Sequence, residues 1–171
     1  MRGPWVQTFT GRQFWPMSPR AEDVCIEDIA HALSLICRFN GHCRGFYSVA
    51  QHSMLVSEAC ETRQAQRCGL MHDAAEAYVG DVVRPLKTRS HEGIEAGVMA
   101  AIAARWGFVH PFSSDVSIAD NRMLATEARD LMLPAPADWG LRAEPYPDRI
   151  VPVRSQEAER MFLDRFEEVF G

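Results

Sequence analysis

From Ile26 onward, apolar side chains recur every three to four residues, the spacing of a half-buried helix. Ile26, Ile29, Ala30, Leu33, Ile36 and Cys37 form the first such stripe. Glu27 and Asp28 stand early in it, where the partial positive charge of a helix N-terminus favours acidic groups. Asn40-Gly41 suits the end of that helix. Ser48 can cap a second helix, which runs to about Cys60 with Val49, Leu55, Val56 and Ala59 as its apolar positions. The pattern predicts a third helix from about Gln66 to Tyr78, through Leu70, Met71, Ala74 and Ala75. Gly80-Asp81 interrupts it and Pro85 closes the region. Ile94, Val98, Ile102 and Trp106 then recur at four-residue steps until Gly107 and Pro111. Ser113, Ser114 or Asp115 caps a further helix to about Leu133. A last helix begins at Ser155 and carries Ala158, Met161, Phe162, Phe166, Val169 and Phe170.

Strict period-two alternation is nowhere sustained, and no internal repeat or heptad run is present. The pattern therefore predicts an all-α fold, a single compact bundle of five or six main helices. Its 171 residues fit one domain, given about 100–200 residues per domain. Residues 1–20 read as an irregular segment in which Trp5 and Trp15 cover a groove or a neighbouring subunit. The five prolines between Pro134 and Pro152 forbid regular helix there, so 134–154 reads as a proline-rich loop, with Arg149-Ile150-Val151 a short strand or extended stretch. Residues 155–171 form the C-terminal helix.

Charge narrows the partners. Eighteen Lys and Arg against 23 Asp and Glu give a formal charge of −5, which argues against attachment to a nucleic-acid polymer or an anionic membrane. It leaves room for one anionic small molecule met by local cations. The five cysteines are odd in number and lack a C-x-x-C pair, so neither a disulfide framework nor a thiolate zinc site is expected. The N-terminus has no signal-peptide pattern, and the longest apolar stretch, Gly97 to Val109, is too short to span a bilayer and contains Arg105. A cytoplasmic protein is the expectation.

Against this background a few polar residues lack a packing reason. His72 and Asp73 stand side by side in the apolar run Leu70-Met71-His72-Asp73-Ala74-Ala75, with Glu76 four residues after His72 and on its helix face. Burying such groups costs on the order of 2–7 kcal/mol each unless hydrogen bonds or a metal satisfy them. The dipeptide alone means little, because an exposed Asp beside a core His is common. His52, early in the preceding helix, and Asp120, early in the helix after Trp106, add context. Packed antiparallel, these helices can bring His52, His72, Asp73 and Asp120 together. Two imidazoles and two carboxylates suit a divalent transition metal such as Mn, Co, Ni, Fe or Zn, with positions left open for water and substrate.

The order H…HD…D on helices of an all-α bundle resembles the HD-domain superfamily of metal-dependent phosphohydrolases. More closely, YSVAQHSMLVS followed by GLMHDAAEAYVGDVVRPLK is similar to the bacterial and phage 5′-deoxynucleotidase branch. The string H-D-x-x-E-x-x-x-G-D-x-x-x-P-x-K falls on His72, Asp73, Glu76, Gly80, Asp81, Pro85 and Lys87 without a gap. Arg38-Phe39 stands fourteen residues before His52, where relatives carry Arg followed by an aromatic residue. The resemblance covers roughly residues 20–133. It implies His52, His72, Asp73 and Asp120 as ligands of one metal, with Glu76 and Asp81 able to help hold a second. It implies Glu76 as the residue that orients or deprotonates the attacking water, and Asp81 as the one that assists the leaving group or positions phosphate and sugar. Arg38 and Lys87 become phosphate-binding cations, with Phe39 and His42 beside the substrate. Phe39 replaces the Trp of several relatives, and the interval from His52 to His72 is shorter than in many.

The implied activity is hydrolysis of the 5′-phosphate of (deoxy)nucleoside monophosphates by a homo-oligomer, dimer or higher. A rival from the same site is release of triphosphate from a deoxynucleoside triphosphate, which Arg84, Lys87 and Arg89 would favour. A reading of another class is a nucleotide sensor without catalysis. His31 and His42 flank Arg38 and either touch phosphate and sugar or serve packing and surface roles. His91 and His110 read as solvated. Glu127 lies seven residues after Asp120 on nearly the same face, behind the metal ligands or paired with Arg122.

Overall fold

The computed structural model describes residues 2–171, and every element longer than two residues is helical. The order is a hairpin of β1 (Val6–Gln7) and β2 (Gln13–Phe14), then α1 (Ile26–Leu35), α2 (Val49–Ala59), α3 (Arg63–Met71), the single turn α4 (Glu76–Val79), α5 (Arg89–Trp106), α6 (Ser114–Leu131) and α7 (Ser155–Phe170). Short 3₁₀ turns occupy Ala21–Asp23, Arg38–Gly41 and Arg84–Leu86. The all-α expectation holds, with six longer helices and one brief one.

Local chemistry sets most boundaries. The hydroxyls of Ser48, Thr62 and Thr88 accept from the amides of Gln51, Ala65 and His91, so α2, α3 and α5 each begin at a satisfied cap. α5 ends where Gly107 takes the left-handed conformation expected of a helix-ending glycine. α2 runs through the middle, packed against α1, α3, α6 and α7. Around it Ile29, Leu33, Val49, Val56, Leu70, Met71, Ile102 and Phe162 are fully buried. α3 lies unusually close to α2: a Cβ at Gly69 would fall 3.1 Å from Ser57 Cα and 3.2 Å from Cys60 Sγ.

Three expectations need correction, and of the two readings of residues 149–151 only the strand falls. The N-terminal segment is not wholly irregular, because Val6 pairs with Phe14 and Gln7 with Gln13. Its anchor is Phe14, fully buried and stacked on Tyr78 at 3.9 Å between ring centroids. α1 ends at Leu35, and Arg38–Gly41 forms a separate turn in which Phe39, Asn40 and Gly41 all have positive φ. α3 stops at Met71, so His72–Ala75 are not helix interior; the backbone continues by tighter i→i−3 bonds, Ala74 to Met71 and Glu76 to Asp73. Residues 149–151 pair with no strand. Instead Ile150 N–H and the Arg149 guanidinium donate to Asp130, and Gln51 bonds the backbone of Val151 and Val153. Among the described residues no helix is long and apolar enough to cross a membrane.

Candidate metal centre

α2, the turn after α3, and α6 bring four side chains to one point. His52 is fully buried, and its Nε2 lies 3.2 Å from His72 Nε2, 3.6 Å from Asp73 Oδ2 and 3.2 Å from Asp120 Oδ1. His72 Nε2 lies 3.3 Å from Asp73 Oδ2 and 3.7 Å from Asp120 Oδ1. Donors held about 2.0–2.2 Å from one ion sit roughly 3–3.6 Å apart, so these separations fit a shared cation. His52, His72 and Asp73 form a cluster that can hold a metal ion, and Asp120 closes on both imidazoles.

The imidazoles are oriented for that task. His72 Nδ1 donates to the Gly69 carbonyl at 2.7 Å, and His52 Nδ1 donates to Glu127 Oε1 at 2.6 Å. Each acceptor holds the Nδ1 proton, so both Nε2 atoms turn inward toward the carboxylates. Because Gly69 also permits the close approach of α2 and α3, one residue sets both the helix spacing and the carbonyl that aims His72.

Glu127, one of the largest fully buried side chains, accepts from His52 through one oxygen and from Arg38 Nη2 through the other at 2.9 Å. Arg38 Nη1 reaches Asp73 Oδ2 at 3.4 Å, closing a chain from one metal-ligand candidate to another. Burial opposes ionisation of Glu127, yet the His52 and Arg38 cations outweigh it and hold its carboxyl down to about 2. For His52, burial and Arg38 oppose protonation while Glu127 and Asp120 favour it, and the carboxylates prevail at about 9. Asp120 is held well below the usual carboxylate range, because the two imidazoles overcome its burial.

Glu76 opens α4 and is nearly buried, with Oε2 lacking any partner among the described residues. Burial first, then the charges of Asp73 and Asp81, push its carboxyl up to about 10. Asp81 is raised as well, mainly by burial and against the pull of Arg38. A cavity of about 260 Å³ reaches the cluster at His72, bounded also by Glu95, Met99, His110 and Phe112.

No protein-family model matches the sequence. Over 170 residues the chain is 38% identical to the uncharacterized protein YfdR of Escherichia coli K12, covering 96% of this chain and 95% of that one. The chain belongs to the YfdR family. An uncharacterized protein of Rhodobacter capsulatus is 31% identical over 146 residues, covering 77% of this chain and 74% of its own.

In this YfdR-family fold the remaining site candidates separate. Arg38 sits at the cluster, and Phe39 lies beside it, its ring 5.4 Å from the guanidinium carbon and 6.0 Å from the Trp139 ring. Lys87 Nζ is held by both oxygens of Glu95, at 2.9 and 3.0 Å. His42 is exposed. His31 is drawn away to Glu159 of α7, at 3.2 Å, and stacks on Phe9. His91 is half-buried rather than solvated and approaches Glu95, whereas His110 is exposed at the mouth of the small cavity. Arg122 does not meet Glu127; it lies over the Tyr146 ring at 4.1 Å. Trp5 remains half-exposed, while Trp15 is covered by the Arg2 guanidinium at 3.9 Å. The sequence reading missed Gly69 as the acceptor for His72, and Tyr47, fully buried with its hydroxyl unpartnered. A backbone carbonyl carries no residue-type signal; Gly69 was visible only as a small residue three positions before a histidine.

Proposed function

We propose that this chain is a metal-dependent phosphohydrolase that removes the 5′-phosphate from (deoxy)nucleoside monophosphates, working as a cytoplasmic homo-oligomer. The observation that carries the reading is the pair of Nε2 atoms, 3.2 Å apart, each on a ring whose other nitrogen already has its acceptor. Two inward Nε2 atoms flanked by Asp73 and Asp120 form a donor set that a cation can occupy in place of their protons. The donor set of two imidazoles and two carboxylates suits Mn, Co, Ni, Fe or Zn. Such an ion supplies Lewis acidity toward water and phosphoryl oxygen. The HD-type register of His52, His72, Asp73, Glu76, Asp81 and Asp120 supports the same reaction class.

The chain's own groups divide the remaining work. Arg38 keeps a positive fork at the cluster, matched to phosphate oxygens and pinned by Glu127 so that its position costs little on binding. Glu76 Oε2, free of partners among the described residues, accepts the proton of the attacking water as the new P–O bond forms, once a cation at the cluster has drawn its carboxyl back to the ionised form. Asp81, whose carboxyl burial favours in the protonated form, donates to the sugar 5′-oxygen as the old P–O bond breaks. The triphosphate alternative asks for more cations at the cluster. Lys87 is tied to Glu95 and Arg84 faces another cavity, which supports the monophosphate.

The test is incubation of metal-loaded protein with each nucleoside mono-, di- and triphosphate, the products being separated by chromatography. Inorganic phosphate from monophosphates is the expected product. Triphosphate release would transfer the site to the rival substrate. Binding without any release would leave a nucleotide sensor and refute the enzyme.

A further inference from the structure

A wide concavity lies outside the metal centre. It measures about 650 Å³ and is lined by α6, residues 139–144 and Arg84. None of His52, His72, Asp73, Glu76, Asp81, Asp120 or Glu127 lines it. Its chemistry is unlike that of the 260 Å³ cleft at His72. Ile118, Leu124 and Leu141 give it apolar surface, and Trp139, 42% exposed, presents an indole to it. Arg84 and Arg142 reach it as exposed guanidiniums that make no hydrogen bond or ion pair among the described residues. Arg122 adds a third positive charge, held in place by the Glu144 carbonyl and the Tyr146 ring, and Glu144 supplies the only acidic side chain of the lining.

In a protein of net charge −5, two unpaired arginines beside an exposed indole are not accounted for by packing or by internal pairing. We infer that this cavity is a second ligand site, one that takes a nucleoside phosphate independently of the metal centre. At about 650 Å³ the cavity falls in the range of about 300–1,000 Å³ typical of pockets that take drug-sized ligands. The ring system of such a ligand stacks on Trp139, as bases do on exposed aromatic side chains. Its phosphate meets Arg84 and Arg142, whose planar forks match phosphate oxygens two at a time. α6 carries both the cavity wall, through Leu124, and Asp120 one turn earlier, so occupancy is placed beside the metal centre on a shared helix.

The experiment measures AMP binding by calorimetry and by tryptophan fluorescence, on chelator-treated full-length protein and on His72→Ala with its helicity checked by circular dichroism. AMP is expected to bind both, and adenosine and inorganic phosphate at least about tenfold more weakly. The double variant Arg84→Gln/Arg142→Gln, altered only at exposed positions, is expected to weaken AMP by about tenfold or more. Trp139→Leu is expected to abolish the fluorescence response. Absence of AMP binding at about 1 mM in both proteins overturns the proposal, as does adenosine binding as tightly as AMP. If His72→Ala abolishes AMP binding and the double arginine variant leaves it unchanged, the metal centre is the sole phosphate site, and the cavity proposal falls while the hydrolase reading stands.

Discussion

Replacing Gly69 by alanine sets two known effects against each other at one backbone position. In a helix interior, alanine gains about 1 kcal/mol over glycine by losing less conformational freedom. At Gly69 the new methyl would meet Ser57 Cα at 3.1 Å and Ser57 N at 3.2 Å, contacts with backbone that cannot rotate away. Overpacking of this kind costs about 1–3 kcal/mol, so against the gain of about 1 kcal/mol the expected net loss is about 0–2 kcal/mol. In a domain of this size that is a fall in Tm of up to about 8 °C. The internal control is Gly93→Ala in α5, where a Cβ meets nothing within 4 Å and the propensity gain stands alone, about 0.5–1 kcal/mol of added stability. The same shift moves the carbonyl that orients His72, so Gly69→Ala is also expected to retain divalent metal about 10–100-fold less tightly. Urea unfolding of both variants gives the first quantity and competition with a chromophoric chelator the second. If Gly69→Ala gains stability as Gly93→Ala does, the helices are not in contact as described.

Other substitutions probe the neighbouring groups. Glu127→Gln leaves the Arg38 charge buried with one carboxylate fewer, and the expected costs are about 3–5 kcal/mol by urea unfolding and a 10–100-fold loss of metal affinity; wild-type values for both would refute the His52–Glu127–Arg38 chain. Glu76→Gln is nearly isosteric and is expected to keep fold and metal while turnover falls by about 10²–10⁴, a proton-transfer loss that steady-state kinetics on a metal-replete sample detects. Asp130, with its side chain 3% exposed, is held well below its ordinary 3.8, chiefly by Arg129 and then by Ile150 N–H and Arg149. A depressed acid stabilises the fold above its unfolded value and loses that contribution as pH falls below it. Asp130→Asn is therefore expected to cost about 1.5–3 kcal/mol at pH 7, to cost progressively less below pH 3.8, and to expose residues 134–154 to protease. A cost that does not change with pH would remove the charge from that account.

What was legible in the chain followed from periodicity and register. The four-residue steps of Ile94, Val98, Ile102 and Trp106 became α5, and Ser48 became the cap it was read as. His52, His72, Asp73 and Asp120 converge because α2, α3 and α6 pack as neighbours, which helix stripes imply but do not enforce. Three things resisted reading. The β1–β2 hairpin has two residues per strand, too few for a period to register, and depends on the distant Phe14–Tyr78 contact. The break after Met71 leaves no trace in propensity, since Ala74 and Ala75 favour a helix that the His72 turn does not continue. Lys87 is in register with a family motif, yet Glu95 takes its charge across one loop.

The arrangement around His52 also has a charge count. Asp73, Asp120 and Glu127 bring three negative charges, against which stand Arg38 and the His52 imidazolium, with Glu76 neutral by burial, so the group carries a surplus of negative charge. A cation at the cluster offsets that surplus and takes the place of the His52 Nε2 proton. That surplus favours a cation at the cluster without choosing the element. It also couples occupancy to folding: whatever divalent ion binds the native cluster and not the unfolded chain raises the melting temperature as its concentration rises.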